Sequence, residues 1–186
     1  KIIVAKSAGF CYGVQRAVDL IEKEISKGTH ICTLGPLIHN TQYVASLADK
    51  GVAVIDSIHE NTQLKSVVIR SHGVPRHVYQ EIEATGAPYI DATCPFVSRI
   101  HRLVEEFPNN GLILIIGDKN HPEIKGIVGH CRSWFLVLPG YREIDNLSTC
   151  LFENFTDVMM LSQTTFQNTE WLKCVASIKK MYTNVA

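Results

Sequence analysis

The 186-residue sequence has no CxxC pair, no low-complexity segment, no long linker and no excess of either charge. Lysine plus arginine number 18, as do aspartate plus glutamate. Such a balance provides no global positive field to hold nucleic acid or an anionic membrane, so any anionic ligand must be held by local groups. The longest apolar runs, such as Leu112 to Ile116, are far short of the roughly 20 residues a membrane-spanning helix needs. Lys1 to Ala5 is too short for the apolar core of a secretion signal. The six cysteines form no compact framework of the kind that staples small secreted domains, and 46% hydrophobic residues suffice for one substantial core or two small ones. The expected setting is cytoplasmic, with no nucleic-acid or membrane partner.

Against that background one stretch stands out. The apolar run Ile2-Ile3-Val4-Ala5 predicts a strand that runs into a glycine-bracketed turn, Ser7-Ala8-Gly9-Phe10-Cys11-Tyr12-Gly13-Val14. A helix follows at once, with Val14, Val18, Ile21 and Ile25 on one face and Gly28 as its stop. Cys11 thus precedes a helix N-terminus, where unpaired N–H groups and the helix dipole favour a thiolate. A thiolate can serve as nucleophile, redox group or metal ligand. A lone cysteine in such a turn is more often a small packing residue, but this one is not alone. Cys11-Tyr12-Gly13-Val14-Gln15-Arg16 is echoed 83 positions later by Cys94-Pro95-Phe96-Val97-Ser98-Arg99. Gly35 to His39 is answered by Gly117 to His121, with cysteine-to-histidine spacings of 28 and 27. Two successive copies share cysteine, valine, arginine, glycine and histidine in one order.

Taken in order, Ile31 to Leu34, Val52 to Ile55, Val67 to Arg70, Tyr89 to Ala92, Leu112 to Ile116, Trp134 to Leu138 and Val158 to Leu161 read as short buried strands. Helices are expected over about 40–50, from Pro75 to about Ala84, over 95–107, and over about 168–181. Strands alternating with helices at this spacing predict parallel α/β sheets with right-handed crossovers. Cys11, His39, His72, Cys94, His121, Glu123 and Thr164 all fall where strands end and helices begin, the edge at which open α/β sheets bind ligands. Each histidine alone is commonly a cap or a core residue, Glu123 suits a first helical turn in any case, and Thr164 and Thr165 can cap the last helix. Cys32 and Cys174 read as packing residues, while Cys131 and Cys150 carry no pattern.

Six motifs in order, Gly9-Phe10-Cys11-Tyr12-Gly13-Val14, His39-Asn40, Ser71-His72-Gly73-Val74, Asp91-Ala92-Thr93-Cys94-Pro95, His121-Pro122-Glu123 after Gly117, and Ser162-Gln163-Thr164-Thr165, resemble the LytB or IspH family of 4-hydroxy-3-methylbut-2-enyl diphosphate reductases. Tyr12 stands where many members have alanine. The resemblance implies a three-lobed, trefoil-like protein of similar α/β units, each lobe giving one cysteine to a central 4Fe–4S cluster. Two lobes are expected here, residues 1–93 with Cys11 and residues 94–186 with Cys94. The third lobe is absent from this chain, and its cysteine is expected beyond Ala186, roughly ten residues past the end of the last helix near Met181, by the repeat. The fragment alone is then expected to be inactive.

The resemblance further implies reductive removal of an allylic hydroxyl to give isopentenyl and dimethylallyl diphosphates. Electrons would come from a donor such as ferredoxin or flavodoxin. Cys11 and Cys94 would hold iron, and Glu123 would supply protons with Thr164 beside the leaving hydroxyl. His39, His72 and His121, with Thr164, would bind the allylic diphosphate. Two cysteines and several histidines also suit zinc, so the alternative expectation is a truncated, non-catalytic phosphate- or zinc-binding α/β module.

Overall fold

The computed structural model describes residues 2–5, 8–58 and 66–182. Ser7, in the turn predicted ahead of the first helix, lies outside them. The chain forms two compact units, one of Lys1–Gly73 and His77–Pro95, the other of Val74–Arg76 and Phe96–Ala186. Each holds a fully parallel sheet.

In the first unit α1 (Tyr12–Ser26), β1 (Cys32–Leu34), α2 (Thr41–Asp49), β2 (Ala53–Ile55), β3 (Val67–Ile69), α3 (Arg76–Thr85) and β4 (Tyr89–Asp91) alternate as the spacing predicts. The strand order is β2-β1-β3-β4, with Cys32 opposite both Ala53 and Val67, and Val67 opposite Tyr89. The apolar face of α1 buries Ala17, Val18 and Ile21 against Ile31, Leu37, Val68 and Ala92. Asn40 caps α2 by accepting the Tyr43 N–H at 2.9 Å, and Gly51 takes the positive φ of 83° that ends the turn after it.

The second unit contains α4 (Pro95–Glu106, beginning at the division), β5 (Leu112–Ile116), α5 (Pro122–Val128), β6 (Trp134–Leu138), α6 (Tyr141–Asp145), β7 (Val158–Ser162) and α7 (Asn168–Met181). Its order, β6-β5-β7, repeats the β2-β1-β3 arrangement. All five residues of β5 are buried. Leu112, Leu114 and Ile116 join one core cluster with Cys174 and Ile178, while Ile113 and Ile115 join another with Val104, Ile124 and Ile127. Alternating sides of one strand thus serve two helical layers. The segment Val74–Arg76 is held within this unit. Pro75 lies so close to Gly129 that a Cβ there would overlap it, the Arg76 N–H donates to Gly129 O, and His130 Nε2 lies 3.1 Å from Val74 O.

One expectation needs correction. Ile2 to Ala5 forms no strand: no other strand pairs with it among the described residues, and Ile2 and Ile3 are 95% and 80% exposed. An apolar run becomes a strand only when a neighbour satisfies its backbone. The stretch between β6 and β7, to which the sequence reading assigned no element, forms α6 and a 3-10 turn over Thr149–Asn154, because Ile144 and Phe152 find places in the core.

Glu105 on α4 accepts from Arg76 and, at 2.8 Å, from Arg132. Partial burial disfavours its charged form, but Arg76 and then Arg132 outweigh this and hold the carboxyl below its ordinary value. A depressed folded-state value contributes stability above the unfolded value of about 4.3, and that contribution disappears as pH falls below it. Glu105→Gln should therefore cost about 1 kcal/mol at pH 7 and almost nothing at pH 3. Urea unfolding followed by Trp134 and Trp171 fluorescence, both in this unit, reads the difference.

Candidate functional site

Within the first unit, the start of α1 is where both repeated cysteines are found. Cys11 is the N-cap residue, with φ −64° and ψ 163°, and its side chain makes no capping hydrogen bond. It is exposed, and its sulfur is not spent on the helix. Two residues on, Gly13 is buried against Cys94, where a Cβ would overlap the Cys94 Sγ. Glycine is needed here for close approach rather than for turn geometry.

The turn that delivers Cys94 is fixed from several sides. The Cys94 N–H donates to Ser71 O at 2.9 Å, and Asp91 Oδ1 accepts the Thr93 N–H at 2.9 Å. Tyr79 donates to Asp91 Oδ2, and burial is the chief cause that pushes its phenol upward, so it remains a donor. From α1, Arg16 donates through Nη1 to Thr93 O at 3.1 Å and through Nη2 to Asp91 O at 3.3 Å. Three other thiols differ in kind. Burial pushes those of Cys32 and Cys174 up and that of Cys131 to about 11, which suits packing residues and not ligands.

His39 and His72 occupy neighbouring turns at the same sheet edge, their ring centroids 4.3 Å apart. Ser71 ties those turns together by donating to Leu37 O through both its N–H and its hydroxyl. Arg70 lies over Gly35, whose positive φ of 70° and missing Cβ leave room for the guanidinium. Burial lowers the Arg70 value, opposed by Asp56, yet a guanidinium stays charged, so this edge carries a fixed cation.

In the second unit His121 caps α5, its Nδ1 accepting the Glu123 N–H at 3.1 Å, with Pro122 at the first helical position. An Nδ1 that accepts carries no proton, which leaves the proton on Nε2. Glu123 is only 2% exposed. Thr164 grips both its carboxylate oxygens, the N–H donating to Oε1 at 2.6 Å and the hydroxyl to Oε2 at 2.7 Å. Short charge-assisted bonds of this kind fix a carboxylate and give it a hydroxyl through which a proton can pass. Gln163 holds the turn by donating to Thr165 Oγ1, and it packs over Gly117, where a Cβ would meet Ile124 Cδ1 at 2.9 Å. A cavity of about 730 Å³ adjoins this turn, lined by Gly117, Asn120, Gln163, Thr165 and Phe166 among others, but by neither Glu123 nor Thr164.

The first unit therefore groups Cys11 with Cys94 and His39 with His72, and the second pairs Glu123 with His121 and Thr164. The sequence reading omitted Arg16, Arg70, Asp91 and Gln163 as site-building residues. For Arg16 a signal existed in its place in the cysteine repeat. Nothing in the sequence marks Arg70 beyond its position before Ser71-His72.

Comparison with known proteins follows the same residues. Residues 2–186 match the family described as LytB protein. The 4-hydroxy-3-methylbut-2-enyl diphosphate reductase of Caldanaerobacter subterraneus subsp. tengcongensis is 39% identical, the match covering 92% of this chain and 59% of the relative. That of Clostridioides difficile is also 39% identical, covering 88% and 58%. A solved structure of (E)-4-hydroxy-3-methyl-but-2-enyl diphosphate reductase, the terminal enzyme of the non-mevalonate pathway, shares 33% identity with a TM-score of 0.81, over 97% of this chain and 64% of that one. The Plasmodium falciparum E-1-hydroxy-2-methyl-but-2-enyl-4-diphosphate reductase structure, at 23% identity and a TM-score of 0.86, matches in fold. The chain spans about 60% of the length of the curated relatives it matches.

The close packing at the start of α1 gives a direct test. Gly13→Ala should displace the Cys94 side chain, lower stability by about 1–3 kcal/mol, and accelerate alkylation of Cys94 by iodoacetamide, read by thermal denaturation and mass spectrometry.

Proposed function

Since the chain belongs to the LytB protein family, we propose that it carries two of the three lobes of a 4-hydroxy-3-methylbut-2-enyl diphosphate reductase. The observation that most supports this is the buried Glu123, both of whose carboxylate oxygens are held by Thr164.

Cys11 and Cys94 fit as two ligands of a 4Fe–4S cluster. Both are free thiols at one helix start, Cys11 spends no sulfur on capping, and Gly13 leaves the space that the Cys94 Sγ takes up. A third thiolate comes, on this reading, from beyond Ala186. When bound, such a cluster supplies electrons and an open iron position that acts as a Lewis acid.

Balance requires two electrons and two protons: the allylic C–O bond breaks, a C–H bond forms, and the oxygen leaves as water. The protons are the protein's part. A proton on Glu123 Oε2 passes to Thr164 Oγ1 while the threonine hydroxyl turns its own hydrogen outward to the leaving oxygen. The Thr164 N–H, donating to Oε1, keeps the carboxyl oriented through the transfer. As the family resemblance implies, His39, His72 and His121 are the diphosphate-binding candidates, each a hydrogen-bond donor within its own unit. Arg70 adds fixed charge near His39 and His72. The electrons come from a small redox protein such as ferredoxin or flavodoxin, and the reaction is cytoplasmic. Among the described residues no helix is long and apolar enough to cross a membrane.

The test uses protein extended to the length of the relatives, assayed anaerobically with a chemical reductant. Glu123→Gln should lower turnover by about 10²–10⁴-fold while leaving the iron content and visible spectrum unchanged. Wild-type turnover by this variant would remove Glu123 from the chemistry. Cys94→Ser should lose most of the iron. Iron retained at the wild-type level, or zinc bound in its place, would favour the binding-module alternative.

A further inference from the structure

The two units repeat one design, and the first shows a contact that the second leaves open. In the first unit β3 is followed by α3, by β4 paired along the outer side of β3, and then by Cys94. Arg16, five residues after Cys11, reaches from α1 to donate to the backbone carbonyls of Asp91 and Thr93, the turn that presents Cys94. In the second unit β7 is likewise followed by α7, but among the described residues no strand pairs with its outer side, and all five residues of β7 are only half-buried where β3 is wholly buried.

The counterpart of Arg16 is Arg99, five residues after Cys94 and on α4. It is exposed and makes no hydrogen bond or ion pair among the described residues. An exposed arginine is ordinarily just solvated. Arg99, however, lies on a helix face with Phe96 and Leu103, which are 62% and 44% exposed, opposite the face that buries Val97, His101 and Val104. Large apolar side chains either side of an unused cation mark a surface shaped for polypeptide and not for water.

We infer that Arg99 is a positioning residue for the third cysteine, donating to the backbone carbonyls of the turn that carries it. The occupant is the chain that follows residue 186 in the longer protein. The inference rests on the three-cysteine reading proposed above. α3 ends at Thr85 and Cys94 comes nine residues later; α7 ends at Met181, which places the corresponding cysteine at about residue 190. The relatives are longer by about the length needed for a further unit. Phe96 occupies the place of Gly13, so the third thiol cannot approach α4 as Cys94 approaches α1, and the clamp acts on backbone alone. A guanidinium suits this because its forked N–H groups can span two carbonyls, as Arg16 does.

The test compares wild type, Arg99→Ala and Arg99→Lys in protein extended to the relatives' length, by hydrogen–deuterium exchange without metal and by iron retention under a chelator after reconstitution. Arg99→Ala should speed exchange in the segment around residue 190 at least about tenfold and shorten iron retention. Arg99→Lys should recover part of both. In the 186-residue chain, Arg99→Ala should leave the thermal midpoint unchanged, which establishes that the variant folds. Exchange around residue 190 that is the same in wild type and Arg99→Ala would overturn the clamp, whether or not iron binds. Faster exchange in Arg99→Ala in a wild-type background that takes up no iron would support the clamp and overturn the cluster reading instead.

Discussion

The first unit depends on one close approach, the Cys94 sulfur against the bare α-carbon of Gly13 in the first turn of α1. A turn that opens a helix can present one cysteine by itself, as Cys11 shows. Bringing a second to the same helix start takes a residue with no side chain on the helix and a rigid turn opposite. That turn is made rigid by Arg16, by Asp91 under Thr93 and by the Ser71 carbonyl. The charge of Arg16 is spent on two backbone carbonyls, which would otherwise be half-buried acceptors with poor partners. Parallel sheet topology supplies the rest, because β1, β3 and β4 all end at one edge.

The second unit uses the same topology to hold a buried carboxylate. Its turns after β5 and β7 bring Glu123 and Thr164 together across 41 residues of sequence. A carboxylate buried to this degree is tolerable because both oxygens are satisfied and because it lies in the first turn of α5, at the positive end of the dipole. The same helix start makes His121 an acceptor at Nδ1, and so fixes which nitrogen is left to donate. One lobe plan thus sets two cysteines at the start of α1 and the turn after β4 in one unit and a carboxylate held by threonine at the turns after β5 and β7 in the other.

Much of this was legible in the sequence for a physical reason. Buried parallel strands are short apolar runs, and helices that follow them begin with proline, asparagine or a cysteine turn, so β1 to β7 and the principal helices stand where periodicity and caps place them. The repeat singled out Cys11, Cys94, His39 and His121, which the structure sets just ahead of helices, although among the described residues no strand precedes Cys11. What was not legible depends on partners distant in sequence. Ile2 to Ala5 has the composition of a strand but finds no pairing neighbour among the described residues. α6 is five residues long, too short to show a period. The role of Gly13 depends on Cys94, and that of Arg16 on carbonyls 75 and 77 positions away. Composition does not encode such contacts, though the repeat hinted at the second.

The account's central claim is that Cys11 and Cys94 are two of three thiolates around an iron–sulfur cluster. It is tested most directly by anaerobic iron and sulfide analysis with a visible spectrum, on this chain and on protein extended to the relatives' length. The account predicts a brown protein with about four iron and four sulfide per chain in the extended form, and little of either in the shorter one. Absence of iron from both, with zinc in its place, would contradict it.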